Sequence, residues 1–363
     1  MSILYNFITM TISGSIIYIL FKAGMNITKN NFSAAWHYGI LKCMLIFFLI
    51  PIGWINSYLY VSNNNSAATM SIHSSAYNKS MGVMNSVVEF TKAYYKWVLV
   101  TWLLGVAILT LKEFLSYMKF RYIVNIHKKE PSEVITNLVV ECCINLDIKR
   151  PIQVYINEYV NTPMLIGLIS PIILLPTDEL DNQDAEYILN HELSHYKKKD
   201  LLFKFIMLSI RILHWFNPLV YIISKDLDKW CEYTCDEKNA IGLTLDMKKK
   251  YGLAILNAAA SVPVYGTSFG TPLLMPQQNL KERLMFMLNV KRMNMNSVIL
   301  SVVLTTFILF SGIVTAFAAE VEYVRIQQVI DSRDIYDSSL SMDFKKEQKN
   351  NHIQLEQVIG DIR

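Results

Sequence analysis

The stretch His191-Glu192-Leu193-Ser194-His195 sets two imidazoles four residues apart, with a carboxylate directly after the first. On a helix, residues four apart share a face, so both imidazoles can address one metal ion. Glu192 is offset around the helix, which puts its carboxylate beside that ion and within reach of a proton on an attacking water. Hydrolytic zinc uses three protein ligands and leaves one position open, so this chemistry requires a third ligand. Glu232, in Trp230-Cys231-Glu232-Tyr233-Thr234-Cys235-Asp236-Glu237, is the candidate, and Asp236 one turn on shares its face. Asp236 is expected to accept the outer N–H of a ligating histidine and so fix its tautomer.

A rival use of the same helix stays open. Cys231 and Cys235 are also four apart, and two thiolates with two histidines would close a four-ligand structural shell. The chain would then be a non-catalytic membrane signalling or scaffold protein. Cys43, Cys142 and Cys143 complete an odd count of five at irregular spacing, which is no disulfide framework. The adjacent Cys142 and Cys143 read as buried helix packing.

The elements that must position these residues follow from local pattern. Residues 132–146 have helical apolar spacing behind a cap at Ser132. Residues 151–157 and 171–176 are β-branched and bounded by proline, so they read as short strands. Between them, Asn161-Thr162-Pro163-Met164-Leu165-Ile166-Gly167 implies a turn leading into another strand. The metal helix should start near Asp181-Asn182 and end in Lys197-Lys198-Lys199, each charge matching the helix dipole. An exposed edge of such a sheet can hold a peptide as an added strand.

Composition places this domain at a membrane. The chain is 52% hydrophobic and only 18% charged, unlike an ordinary soluble enzyme. Apolar blocks at 3–22, 38–60, 94–112 and 297–318 each approach the roughly 20 residues that cross a bilayer as a helix. Lys112, Lys119, Arg121, Lys128 and Lys129 follow the third block, and Lys281, Arg283, Lys291 and Arg292 precede the fourth. By the positive-inside rule these flanks lie in the cytosol, with the N-terminus and the tail outside. The expected organisation is therefore 1–112 with three spans, 113–296 as a cytosolic metalloprotease domain, 297–318 as a fourth span and 319–363 as a short extracellular tail. The modest net charge of +4 reads as topology, and no Lys/Arg stripe interleaved with aromatics points to nucleic acid. Residues 201–224 are long enough to span, yet a crossing would put His191 and Glu232 on opposite sides of the bilayer. They are expected to pack in the domain or lie at the membrane surface, bent at Asn217-Pro218. Ala316-Phe317-Ala318 resembles a signal-peptidase site, although small residues at a helix end explain it more simply.

Taken together, Thr162-Pro163-Met164-Leu165-Ile166-Gly167, Pro171-Ile172-Ile173-Leu174-Leu175-Pro176, His191-Glu192-Leu193-Ser194-His195, His214-Trp215-Phe216-Asn217-Pro218 and Glu232-Tyr233-Thr234-Cys235-Asp236 resemble the BlaR/MecR family of integral-membrane zinc metallopeptidases. The resemblance runs over roughly residues 1–320. It implies an α+β, gluzincin-like cytosolic protease domain between the third and fourth spans, with Zn2+ held by His191, His195 and Glu232 and with Glu192 as base. It also implies a peptide or protein substrate, typically the enzyme itself and a cytosolic transcriptional repressor. Family sensors carry a penicillin-binding domain after the fourth span, with a nucleophilic serine three residues before a lysine. Residues 319–363 hold no such pair, and Ser116-Tyr117-Met118-Lys119 lies at the end of the third span, so β-lactam acylation is not expected here. The group that stabilises negative charge on the scissile carbonyl stays open among Tyr196, His214 and Tyr233.

Overall fold

The computed structural model describes residues 2–52, 77–160, 162–177, 179–259, 277–290, 293–319 and 342. The end of the expected 38–60 span, Asn161, Lys291, Arg292 and the tail from 320, apart from residue 342, lie outside the described residues. The chain divides into two compact units, one of residues 1–10, 51–99 and 313–363 and one of 11–50 and 100–312. In the first, the Tyr5 hydroxyl donates to the Ala319 carbonyl. The second carries the sheet and the buried His/Glu cluster described below.

The fold is helix-rich with one small sheet. Helices Ser2–Thr28 (α1), Ala34–Leu49 (α2) and Tyr77–His127 (α3) come first, followed by Glu133–Asn145 (α4). Strands Gln153–Ile156 (β1), Met164–Ile166 (β2) and Ile172–Leu175 (β3) come next. Helices Asn182–Lys197 (α5), Asp200–Leu213 (α6), Pro218–Ala240 (α7), Leu245–Ala259 (α8) and Gln277–Asn289 (α9) complete the unit before the apolar helix Met295–Ala319 (α10).

Among the described residues, three helical stretches are long and apolar enough to cross a membrane: Tyr5–Thr28, Tyr94–His127 and Met295–Ala319. Two of them present their apolar side chains outward, as at Trp97, Leu104 and Ile108 in α3 and Phe307 and Phe310 in α10. No soluble surface tolerates such a run, whereas hydrocarbon does. The third expected span continues unbroken to His127, beyond its expected end at 112. The helix α2 is shorter than a full span within the described residues, and it packs on α7.

The sheet has strand order β1-β3-β2, with β1 parallel and β2 antiparallel to the central β3. Alternation divides its side chains between two layers. Val154, Ile156, Ile173 and Leu175 pack with Ile135, Val139, Cys142 and Cys143 of α4 and Ile188, Leu189 and Leu193 of α5. Leu174 faces the other way, onto Val124 and Phe120 of α3. Gly167 closes β2 with φ +89°, and a Cβ there would meet the Ser170 carbonyl oxygen at 2.4 Å, so this turn requires glycine.

Local signals explain the site helices. Asp181 caps α5 by accepting from the Gln183 amide, and Asn217 caps α7 from Leu219 with Pro218 in its first turn. Ser132 occupies the cap position of α4 but makes no side-chain cap hydrogen bond. The segment 201–224 is bent as expected: α6 ends at Leu213, and α7 restarts at Pro218.

Candidate metal centre

The helix α5 carries His191, Glu192 and His195, all buried, and α7 brings Glu232 against them. The His191 Nε2 and His195 Nε2 atoms face each other at 3.2 Å. Glu232 Oε2 lies 3.3 Å from His191 Nε2, and its Oε1 lies 3.6 Å from His195 Nε2. One ligand atom from each of the three residues falls within 4.8 Å of the others.

The outer nitrogens decide what the inner ones can do. His195 Nδ1 lies 2.9 Å from Asp200 Oδ2. His191 Nδ1 lies 3.0 Å from the Tyr251 hydroxyl and 3.3 Å from Asp236 Oδ1. With each Nδ1–H engaged by these oxygens, both Nε2 lone pairs point into one small space. Two buried carboxylate oxygens, Glu192 Oε2 and Glu232 Oε1, have no hydrogen-bond partner. Converging lone pairs and unpartnered carboxylate oxygens in a buried pocket are what a divalent cation satisfies, so the donor set fits a metal.

Asp236 Oδ1 thus stands 3.3 Å from the outer nitrogen of His191. Three partners escaped the sequence reading. Asp200 serves His195 because Lys199 adopts a left-handed conformation (φ +56°) and turns the chain back at the end of α5. Tyr251 of α8 bridges His191 and Asp236, at 3.0 Å from each. Arg283 of α9, read from sequence as a topological charge, is buried in the site. Its Nε donates to Asp236 Oδ2 at 2.5 Å, and its Nη2 donates to Asp236 Oδ1 at 2.9 Å and His191 Nε2 at 3.0 Å. The same Nη2 is 3.3 Å from Glu232 Oε2. No spacing rule links residue 283 to 191, and Arg283 directly follows Lys281 and Glu282 with no local signal to single it out.

Electrostatics follow from burial and these pairs. Burial disfavours charge on Glu232, but His195 and Arg283 outweigh it and hold the carboxyl well below its ordinary range. Asp236 is likewise lowered against burial, by Arg283 and His191. Burial alone would push His191 down, yet the Asp236 and Glu232 carboxylates raise it to about 9.

The remaining candidates separate cleanly. Both ring nitrogens of His214 are taken, Nδ1 by Thr11 Oγ1 at 2.7 Å and Nε2 by the Phe48 carbonyl at 2.9 Å. Tyr233 stacks on Phe286 with ring centroids 4.5 Å apart. Tyr196 lines a cavity of about 660 Å³ with His195, Leu165, Gly167 and Lys199. The thiols approach the far edge of His195: Cys231 Sγ and Cys235 Sγ lie 3.6 and 3.3 Å from Nδ1, not beside Nε2. A single ion bound to both Nε2 atoms and both thiols would need the imidazole to face two ways.

A family model for the BlaR1 peptidase M56 matches residues 5–287. The chain belongs to that family. It is 31% identical over 159 residues to the regulatory protein BlaR1 of Bacillus licheniformis, covering 43% of this chain and 26% of that protein. It is 30% identical over 142 residues to a methicillin resistance mecR1 protein of Staphylococcus aureus, covering 38% and 24% respectively. A regulatory protein BlaR1 of Staphylococcus aureus aligns more widely at 23% identity, over 82% of this chain and 53% of that protein. The matched segments thus span about a quarter of the first two relatives and half of the third. Together with the apolar helices, these matches make the chain a membrane member of the M56 peptidase family, and its buried His/Glu cluster can hold a metal ion.

Proposed function

We propose that the chain is a gluzincin-type zinc endopeptidase of the membrane, with His191, His195 and Glu232 as ligands and Glu192 as general base. The convergence of both Nε2 atoms and the Glu232 carboxylate in one buried cluster carries this reading. When bound, the ion supplies Lewis acidity at the scissile carbonyl. Glu192, with one buried oxygen free of partners, takes a proton from the attacking water and passes it to the leaving amine. Arg283 Nη2, 3.0 Å from His191 Nε2, is the donor best placed to meet negative charge developing on the carbonyl oxygen. His214 is excluded from that task because both its nitrogens are occupied.

The substrate is a peptide segment, of this chain or of a cytosolic regulator such as a transcriptional repressor. β2 is an edge strand, and the cavity beside it opens onto His195, so an extended peptide can be held by β-addition. The regulatory names of the relatives agree with such a target. The topology proposed is four spans, with the expected 38–60 span added to the three apolar stretches, the N-terminus and tail outside, and the metal centre on the cytosolic side. Metal-stripped protein in detergent should show no self-cleavage and regain it when zinc is returned. Cleavage that persists through chelation would overturn the reading.

A further inference from the structure

Behind His195 lies a second group of donors that the peptidase reading does not use. Cys235 Sγ and Cys231 Sγ stand 3.3 and 3.6 Å from His195 Nδ1, and Asp200 Oδ2 stands 2.9 Å from the same nitrogen. Cys235 Sγ is also 3.8 Å from Asp200 Oδ2. All four residues are buried, and both cysteines are free thiols. Metal–sulfur bonds of about 2.3 Å and metal–nitrogen bonds of about 2.0 Å place the donors of a tetrahedral shell roughly 3.3–3.8 Å apart. The spacings here bracket that range.

The surroundings favour the anionic donors such a shell requires. Lys198 Nζ donates to Cys235 Sγ at 3.4 Å. Lys42 Nζ lies 3.6 Å from Asp200 Oδ1, and the Tyr38 hydroxyl donates to that same oxygen at 2.8 Å. Oδ2 is thereby left turned toward the thiols and the imidazole.

We propose that Cys231, Cys235, Asp200 and His195 Nδ1 form a second cation site, for a thiophilic closed-shell ion such as Zn2+ or Cd2+. Binding exchanges the two thiol protons for the ion, while the Nδ1 proton moves to Nε2 of the same ring. The site is separate from the front cluster because it uses the opposite nitrogen of the shared ring. Occupancy removes the Nδ1–H donated to Asp200, the contact that sets the tautomer of His195. Resting on the peptidase reading, the consequence is that excess thiophilic cation weakens the front ligand and lowers self-cleavage.

Cadmium titration of the metal-stripped full-length protein in detergent tests this, because thiolate–cadmium bonds give a near-ultraviolet charge-transfer band that imidazole and carboxylate ligands do not. The band should grow in the unchanged protein and persist in Glu232→Gln, which removes only a front ligand. It should be lost in Cys235→Ser and in Cys231→Ser, each still binding cadmium at the front. No band in the unchanged protein would overturn the proposal without touching the front site. A band undiminished when Cys231→Ser and Cys235→Ser are combined would also overturn it, since the thiols responsible would be Cys43, Cys142 or Cys143. Loss of the band in Glu232→Gln would show the thiols serving the front ion instead. Retained band with undiminished total cadmium uptake in Glu232→Gln would count against the front-site reading alone.

Discussion

Arg283 and Asp236 form a two-pronged ion pair inside the site, with Nε and Nη2 each donating to a different carboxylate oxygen at 2.5 and 2.9 Å. Both side chains are almost fully buried. The pair ties α9 to the helix that carries Glu232, and it also sets a guanidinium against His191 and Glu232. One residue therefore joins the closure of the domain to the electrostatics of the metal pocket.

Removing Arg283 leaves Asp236 buried without its cation. Arg283→Ala should cost about 3–5 kcal/mol, seen as a lower unfolding temperature in detergent. Arg283→Lys should recover part of that loss, because an ammonium keeps the charge but not the fork. An Ala variant as stable as the parent would show that the pair holds nothing together.

At the front site Asp200 acts through His195 rather than on the ion held by His191, His195 and Glu232. Asp200→Asn keeps the shape but removes the charge facing Nδ1, 2.9 Å away. Zinc affinity, measured by competition with a chelator, should fall about 10- to 100-fold. Unchanged affinity would mean that the ring is oriented by packing alone.

Proton competition sets the pH dependence of metal uptake. His191 in the metal-free fold is raised from 6.5 to about 9, so its proton stabilises that fold fully below 6.5 and is lost as pH rises through 9. Metal must displace this proton. Apparent zinc affinity should therefore climb with pH through neutrality and level off above about 9, with proton release measurable by calorimetry in buffers of different ionisation heat. An affinity flat between pH 6.5 and 9 would contradict the assignment of His191.

The sequence makes periodic and local features legible. The i, i+4 histidines, the capped start of α5 at Asp181, the prolines bounding β1 and β3, and the break at Asn217-Pro218 all follow from short-range rules, and the structure has each of them. The apolar blocks announced a membrane chain, though not that α3 would run on to His127. What escaped is non-local. Arg283 and Tyr251 reach His191 across 92 and 60 residues, and no pattern on their own helices declares it. Asp200 is near in sequence, but it is turned back by a left-handed Lys199, a conformation that a lysine does not advertise. The thiols illustrate the same limit: helical spacing put them beside the glutamate face, and only the fold shows that they meet the far nitrogen of His195.

The central claim is that Glu192 acts as a base beside a metal held by His191, His195 and Glu232. The most direct measurement compares the full-length protein with Glu192→Ala and His195→Ala in membranes, scoring zinc content by elemental analysis and self-cleavage on one gel. The account predicts fragments from the unchanged protein alone, zinc retained in Glu192→Ala, and zinc much reduced in His195→Ala. Undiminished fragments from a zinc-loaded Glu192→Ala protein would contradict it.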